Sequence, residues 1–348
     1  MIVATNTGRN RRATKTWSLL GDVKRKPSPY EAVTAKFHYH FRRDPAPFEM
    51  DPETPINKWY LRHREGSPLQ VDDWEQFRDP HKLTYKDYVA TQKDRETFVD
   101  GLIDQAEAAH VASQLSPGWI ATLRDILVPL RFPLHVLQMT ALYVGQVAPS
   151  SFITNCAYFQ ASDELRRIQR LAYWTKVLSI SHGDGLAETA TARGPWESAP
   201  HWQPLRKALE EMLIAYDWGE AFTALNLTVK PMIDALVNEQ LASLAAANSD
   251  AFLSSLLTEF ELDSRRSQDW TQALVAYSVD RDTALHDVLD GWLARWQPAA
   301  KAGIDALAPL FGGAPNPLAP QTVSDNVANR YTNFVDECGL TVHTQTPA

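Results

Sequence analysis

Glutamate and histidine side chains spaced three residues apart are the first candidates for chemistry in this sequence of 348 residues. Positions i and i+3 of a helix lie on one face, so such a pair can reach the same metal ion. A two-metal carboxylate site in a helical bundle uses two of these pairs and two further glutamates. Glu107 and His110 form the one literal match, near the end of a predicted helix. Because the sequence holds no second pair, we expect these two to be ordinary polar side chains.

Two segments in the middle of predicted helices combine carboxylates with arginines. Residues 163–167 read Asp-Glu-Leu-Arg-Arg, and residues 263–267 read Asp-Ser-Arg-Arg-Ser. His38 and His40 suggest a third arrangement, a pair of metal ligands on a strand. We favour the simpler interpretation of that pair, two ordinary polar side chains, since nothing beside it completes a ligand set.

Composition argues against several classes of function. A net charge of −8 is unlike that of a general nucleic-acid-binding protein. Cys156 and Cys338 are the only cysteines, which is too few for a disulfide framework or a cysteine-based zinc site. The sequence has no glycine-rich phosphate loop, dinucleotide fingerprint or Gly-x-Ser-x-Gly motif. It also lacks a signal-peptide pattern and an apolar run of membrane-spanning length, so we expect a cytoplasmic protein without a membrane partner.

The first 43 residues are basic, with ten lysines and arginines against two acidic residues. Such an arm can be a solvated tail or can dock on an acidic partner. Aromatic residues within the arm favour docking, because a solvated tail does not need them. The sequence is also rich in tryptophan, which is common at protein interfaces. The candidate interface residues are Arg11, Arg12, Trp17, Tyr30, Trp59 and Trp74.

Closely spaced prolines make residues 1–82 an extended arm, whereas apolar residues at helical spacing predict a helical body over residues 83–311. Ser116 and Pro117 form a helix start, and Pro129 and Pro133 should kink the helix that follows. Glycines and prolines predict a loop over 181–204 and an extended tail over 312–348. Long helices with short turns indicate an all-α bundle. The predicted helices cover residues 84–114, 116–147, 150–178, 205–246, 250–277, 281–296 and 299–311, and the one over 205–246 is expected to be interrupted near Trp218 and Pro231.

Ten short motifs, in a shared order over roughly residues 15–300, resemble one family. They lie at residues 16–19, 26–31, 57–60, 67–69, 72–75, 77–80, 129–131, 137–139, 217–222 and 226–231. Together with segments 163–167 and 263–267, which look like paired Asp-Glu-x-Arg-His motifs, they are similar to the soluble diiron hydroxylases of bacterial multicomponent monooxygenases. The resemblance to the β subunit of the toluene, phenol and alkene (including isoprene) branch is close.

This resemblance implies a ferritin-like bundle in which a paralogous α subunit carries the diiron centre and β carries none. Glu164 keeps its acidic ligand position, whereas Arg167 stands for a histidine and Lys230 for a glutamate. Ser264 and Ser267 stand for the second Glu and His. The remaining glutamate position falls near His135 to Gln138, in a register that the motif leaves open.

A buried Glu164 without metal needs another positive group close by. We therefore expect Arg167, Lys230 or both to pair with Glu164 inside the bundle. The alternative is that Arg166 and Arg167 extend to the surface as ordinary helix residues.

The resemblance implies a structural, non-catalytic subunit of an (αβγ)2 hydroxylase that oxygenates aromatic rings or alkenes. Its partners would be the α and γ subunits, an effector protein, a Rieske ferredoxin and an NADH reductase. Two other hypotheses remain open at this point. The chain could itself be a diiron oxygenase with ligands such as Glu107 and His110, or a free-standing helical adaptor.

Overall fold

A computed structural model describes residues 28–34, 53–183 and 185–343 of the chain, and in these ranges all regular structure is helical. Two short helices come first, α1 (Pro29–Thr34) and α2 (Pro55–Tyr60), the second continuing as a π-helical turn over Leu61–Glu65. The body then begins with α3 (Tyr85–Ala108) and the single turn α4 (Val111–Gln114). The predicted helix over 84–114 is thus interrupted near His110.

The central bundle is built from four long helical segments. The first joins α5 (Pro117–Ile126) to α6 (Arg131–Val147) through a 3-10 turn at Val128–Leu130, where a kink is predicted. The second is α7 (Ser151–His182) and the fourth is α13 (Ala251–Arg281). Side-chain caps start these helices: the Ser116 hydroxyl accepts from Trp119 N, and the Asp250 carboxylate accepts from Leu253 N. Both caps agree with the sequence, because Ser and Asp are favoured N-cap residues.

The third long segment is the central helix of the molecule. It comprises α10 (Trp218–Phe222), α11 (Lys230–Asp234) and α12 (Ala242–Ala247), joined by π-helical stretches at Thr223–Val229 and Ala235–Leu241. Every residue from 221 to 238 is buried. A helix that is buried all round lies at the centre of a fold, so polar groups on it must find partners inside the protein.

The remaining helices surround this bundle and correct two predictions. The stretch 181–204 is not only a loop, because it contains α8 (Thr189–Ser198), which is followed by α9 (Gln203–Met212). The two short helices predicted over 281–311 are one helix, α14 (Leu285–Phe311), with Pro298 inside it. Buried side chains on both sides of Pro298 keep the helix continuous, which outweighs the missing backbone hydrogen bond. They are Leu289, Leu293, Trp296, Ala300, Ile304 and Leu307.

The prediction of an extended C-terminal tail is wrong over residues 320–337, which form α15 (Pro320–Glu337). Pro320 stands in its first turn, a position that favours helix initiation. An apolar stripe of Val323, Val327, Tyr331 and Phe334 is buried against the bundle. That spacing is helical, so the sequence contained the signal, but the glycines and prolines before it suggested an extended chain.

Two of the candidate interface residues belong instead to the core of this chain. The Tyr30 hydroxyl donates to Asp79 Oδ2 at 2.5 Å, and the Trp74 ring lies 5.1 Å from the Trp218 ring. Tyr30 is 4% exposed and Trp74 is 7% exposed, so neither presents a surface to a partner. Trp59 is partly exposed. The other candidates, Arg11, Arg12 and Trp17, lie outside the described residues, as do His38 and His40.

One stretch of helix, Pro117–Val147, is long and apolar enough to cross a membrane when judged by length and composition alone. This differs from the expectation that no segment reaches that length. In the fold, 61% of its apolar window is buried. The segment therefore lies where a core helix of the bundle lies.

Two glycines on α14 provide a test of its packing. A Cβ atom added at Gly303 would lie 2.8 Å from Leu205 Cα of α9, whereas one added at Gly291 would meet nothing within 4 Å. We expect Gly303→Ala to lower the free energy of unfolding by about 1–3 kcal/mol, because the two helices must separate. Gly291→Ala, the matched control, should be neutral or raise it by up to about 1 kcal/mol through helix propensity. Urea unfolding of the two variants measures both effects, and equal midpoints would contradict the close packing.

Candidate functional site: a buried charge cluster at the bundle centre

Four ionised side chains from α7 and α11 meet at the centre of the bundle. Lys230 Nζ donates to Glu164 Oε1 at 2.5 Å and to Asp234 Oδ2 at 2.8 Å. Arg167 Nη1 lies 2.7 Å from Asp234 Oδ1 and 3.5 Å from Glu164 Oε2. All four side chains are at most 6% exposed. We call this set of two cations and two carboxylates the charge quartet.

The quartet is electrically balanced, and its pKa values favour the charged forms. Burial alone would lower the pKa of Lys230, but the carboxylates of Asp234 and Glu164 raise it well above its ordinary value. Burial alone would raise the pKa of Asp234, but Lys230 and Arg167 together hold it below its ordinary value. Each charge therefore depends on the others, since an isolated buried charge is costly.

The predicted pairing of Glu164 with both Arg167 and Lys230 is present. The alternative, in which the arginines extend to the surface, does not fit: the side chains of Arg166 and Arg167 are 9% and 4% exposed. Sequence reasoning missed Asp234 and Asn238, which accept hydrogen bonds from the two terminal nitrogens of the Arg167 guanidinium. Asn238 in turn donates to Ser264 Oγ at 2.9 Å.

A spacing signal could have revealed these residues. Asn226, Lys230, Asp234 and Asn238 recur every four positions, and over residues 221–238 the other polar residues are two threonines. A regular α-helix has 3.6 residues per turn, so such a series would drift around the axis. The π-helical stretches on both sides of α11 have wider turns, which bring the average period closer to four residues. The mixture of α and π turns therefore keeps the polar side chains on one face.

The other predicted positions lie apart from the quartet. Ser267 borders a separate cavity of about 20 Å³, beside Gln160, Asp163 and Arg266, with room for roughly one water-sized molecule. His135 is exposed on α6 and bonds to Gln138 at 2.9 Å, so the fourth glutamate position is not assigned to either residue.

Glu107 and His110 do not form a ligand pair. Glu107 is an exposed residue near the end of α3 that accepts a hydrogen bond from the Tyr173 hydroxyl at 2.5 Å. His110 lies beyond that helix with a φ of 53°, in the left-handed region. The two residues border an open surface depression and not the bundle centre.

A second layer of ion pairs ties α3 to the bundle. Arg166 of α7 binds Asp263 of α13 at 2.9 Å, and Arg266 of α13 reciprocally binds Asp163 of α7. Gln92 of α3 bridges the two aspartates, at 2.9 Å from Asp163 and 3.0 Å from Asp263. Three more α3 side chains join this layer: Tyr88, Arg95 and Glu96. The paired Asp-x-x-Arg segments thus brace α7 and α13 against each other and against α3.

The residues at the bundle centre do not fit a metal site. Ammonium and guanidinium groups offer no lone pair to a metal ion, and a serine hydroxyl is a weak ligand. Lys230 Nζ also occupies the position between the two carboxylates in which a cation would neutralise them. Within ranges 28–34, 53–183 and 185–343, no three His, Cys, Asp or Glu residues are grouped so that they could hold a metal ion.

A family described as Methane/Phenol/Alkene Hydroxylase has a sequence profile that matches residues 59–282. The chain belongs to this hydroxylase family. It is 39% identical, over 84% of its length and 89% of the relative, to the β subunit of the hydroxylase component of the toluene-4-monooxygenase system of Ectopseudomonas mendocina. It is 26% identical to an oxygenase component of phenol 2-monooxygenase from Pseudomonas sp. (strain CF600), over 86% of this chain and 85% of that one.

A solved structure of toluene 4-monooxygenase with toluene bound in the resting active site is similar in fold. One of its chains superposes with a TM-score of 0.79 and 38% identity, over 86% of this chain and 98% of that chain. The ferritin-like hydroxylase fold predicted from the motifs is thereby confirmed. The assignment of Glu164, Arg167, Lys230, Ser264 and Ser267 as altered ligand positions of the family remains a prediction.

Removing one cation from the quartet should destabilise this hydroxylase chain strongly. Lys230→Met leaves Glu164 and Asp234 sharing a single cation, so we expect a loss of about 3–5 kcal/mol in the free energy of unfolding. The double variant Lys230→Met/Glu164→Gln restores charge balance and should recover part of that loss. Chemical unfolding of the three proteins measures the effect. A single variant as stable as the double variant would show that the quartet does not act as a charge-balanced unit.

The acidity of Asp163 predicts a pH dependence. Burial, and then the neighbouring Asp263 carboxylate, raise the pKa of Asp163 to about 7. The unfolded chain has an aspartate pKa of about 3.9, so the folded protein holds an additional proton between these values. Stability contributed by that proton is complete below pH 4 and is lost as the pH rises through about 7.

Asp163→Asn should remove this pH-dependent fall in the free energy of unfolding, which amounts to roughly 1.4 kcal/mol per pH unit for one proton. Unfolding midpoints measured between pH 4 and 8 test it. Asp305→Asn serves as the control, because Asp305 forms a surface ion pair with Lys301 on α14. Parallel pH profiles for the wild type and Asp163→Asn would contradict the assignment.

Proposed function

We propose that this chain is the non-catalytic β subunit of a multicomponent diiron monooxygenase hydroxylase. The observation that carries the proposal is the position of Lys230 Nζ between Glu164 and Asp234 at the bundle centre. In this chain, positively charged side chains occupy the centre of a fold that would otherwise hold metal ions. Support also comes from the relative that is 39% identical, a β subunit of a hydroxylase component.

The chemical contribution of the chain is architectural. Both cations of the quartet bond to groups on α7 or α11, and Asn238 continues the hydrogen bonds to Ser264 on α13. The quartet therefore keeps α7, α11 and α13 at a fixed separation. A rigid bundle of this kind can hold a catalytic partner in one conformation. In this proposal the diiron centre, the substrate pocket and the oxygen chemistry belong to that partner.

The proposed assembly is an (αβγ)2 hydroxylase that inserts oxygen into aromatic rings or alkenes in the cytoplasm. Electrons from NADH would reach it through a reductase and a Rieske ferredoxin, and an effector protein would regulate it. In the N-terminal segment, Arg11, Arg12, Trp17 and Trp59 would contact a neighbouring subunit, whereas Tyr30 and Trp74 pack in the core of this chain. Trp59 lies in a partly exposed aromatic group, with its ring 4.9 Å from Tyr216.

Metal analysis of the assembly and of its parts tests the proposal. The chain should be produced alone and together with the products of neighbouring genes, and iron should be measured per polypeptide. We expect the chain to bind no iron and to become monodisperse only with a diiron partner, because an obligate subunit exposes apolar surface when alone. Two irons in the isolated chain would overturn the proposal and make this chain the catalyst. A soluble, monodisperse chain that binds none of the co-produced proteins would instead favour a free-standing adaptor.

A further inference from the structure

The outward face of α7 carries large apolar side chains in a regular row. Tyr158, Leu165, Tyr173 and Ile180 are 41%, 42%, 38% and 72% exposed. Lys176 is the one charged residue among the exposed positions of this helix. We call these four apolar residues the α7 ridge.

The members of the ridge lie along one side of the helix, where exposed Ser162, Gln169 and Lys176 alternate with them. Steps of seven, eight and seven residues separate its members. At 3.6 residues per turn, these steps place the four side chains within about 40° of one line along the helix. With a rise of 1.5 Å per residue, the ridge is about 33 Å long. A seven-residue interval is that of one of the two core positions in a heptad of packed helices, and the other position is polar here.

Helix α15 provides a comparison within the same molecule. Its exposed positions between 321 and 337 carry only Gln, Thr, Asn, Asp and Glu. That is the usual composition of a helix face in water. The two long helices therefore differ in what their exposed faces are suited to contact, water for α15 and a protein surface with both apolar and polar groups for α7.

The size of the ridge constrains its partner. A strip about 33 Å long and one helix wide, about 10 Å, covers roughly 330 Å². A stable interface buries about 800 Å² on each partner, so a single helical peptide on the ridge would not suffice. The partner must extend over the helices beside α7, and is therefore a multi-helix protein.

Charge argues against a second copy of this chain as that partner. Each copy carries a net charge of −8, and like net charges oppose self-association. A different chain with a complementary apolar row, and with a carboxylate opposite Lys176, avoids this repulsion. The relatives described as a subunit β and as a small subunit are themselves components of larger systems.

We propose that the α7 ridge is the docking surface for a long helix of a different, multi-helix subunit of the hydroxylase. This inference rests on the proposed function as a hydroxylase subunit. It identifies which face of the chain the partner covers and leaves the outer face of α15 in water.

Charge-inserting variants test the surface. Leu165→Glu/Ile180→Glu places two carboxylates on the ridge, and Asn329→Glu/Asn333→Glu places two on α15 as the matched control. Each variant should be produced with the neighbouring gene products and purified through an affinity tag on the chain. We expect at least a tenfold loss of co-purified partner for the ridge variant and none for the control. Circular dichroism and the unfolding midpoint of both variants should match the wild type, since all four positions are exposed.

Photo-crosslinking identifies the occupant. A benzophenone amino acid at position 165 should crosslink to a different subunit in the complex, and the same group at position 333 should not. Crosslinks between two copies of this chain, or unchanged co-purification of the ridge variant, would overturn the inference while the subunit function stands. If the wild-type chain captures no co-produced subunit at all, the proposed function itself fails, and the ridge proposal falls with it.

Discussion

The ammonium group of Lys230, held between two buried carboxylates, is the interaction on which the rest of the bundle depends. Glu164 and Asp234 belong to different helices and would repel each other across a dry interior without a cation. Arg167 supplies the second positive charge and extends the bonding to Asn238. Because the interior can hold charges only in balance, none of these four residues can change without a compensating change in another.

The outer ion pairs extend this constraint to α3, which has only four buried residues, Tyr88, Gln92, Val99 and Ala106. Besides the apolar contacts of these residues, Asp163, Asp263 and their arginine partners hold the helix to α7 and α13. Ion pairs and hydrogen bonds fix direction more strictly than apolar contacts do, so the placement of α3 is determined by the network beneath it.

Sequence reasoning reached the bundle and part of its centre. Helix starts at Ser116 and Asp250 could be predicted because capping is a local property of a few residues. The pairing of Glu164 with Lys230 followed from a family resemblance and from the cost of burying an unpaired charge. The four-residue spacing in the sequence marks Asp234 and Asn238 as members of one polar face, but their pairing with Arg167 depends on which helix faces it, and only the assembled bundle decides that. Two helices were predicted where the structure has α14, for a similar reason, since the packing that keeps the helix continuous across Pro298 is not local.

The alternation of α and π turns in the central helix has a consequence for how this protein can change. A π-helical turn corresponds to a residue inserted into an α-helix, accommodated without ending it. Two such stretches, Thr223–Val229 and Ala235–Leu241, flank Lys230 and Asp234. Deleting a single residue from either stretch would rewind it as regular α-helix and leave the halves on its two sides close to their present orientation, because the π turn is where the additional residue is accommodated. A deletion within α11 has no such turn to absorb it, so it would rotate one half by about 100° relative to the other and turn its polar face into the apolar packing of its neighbours.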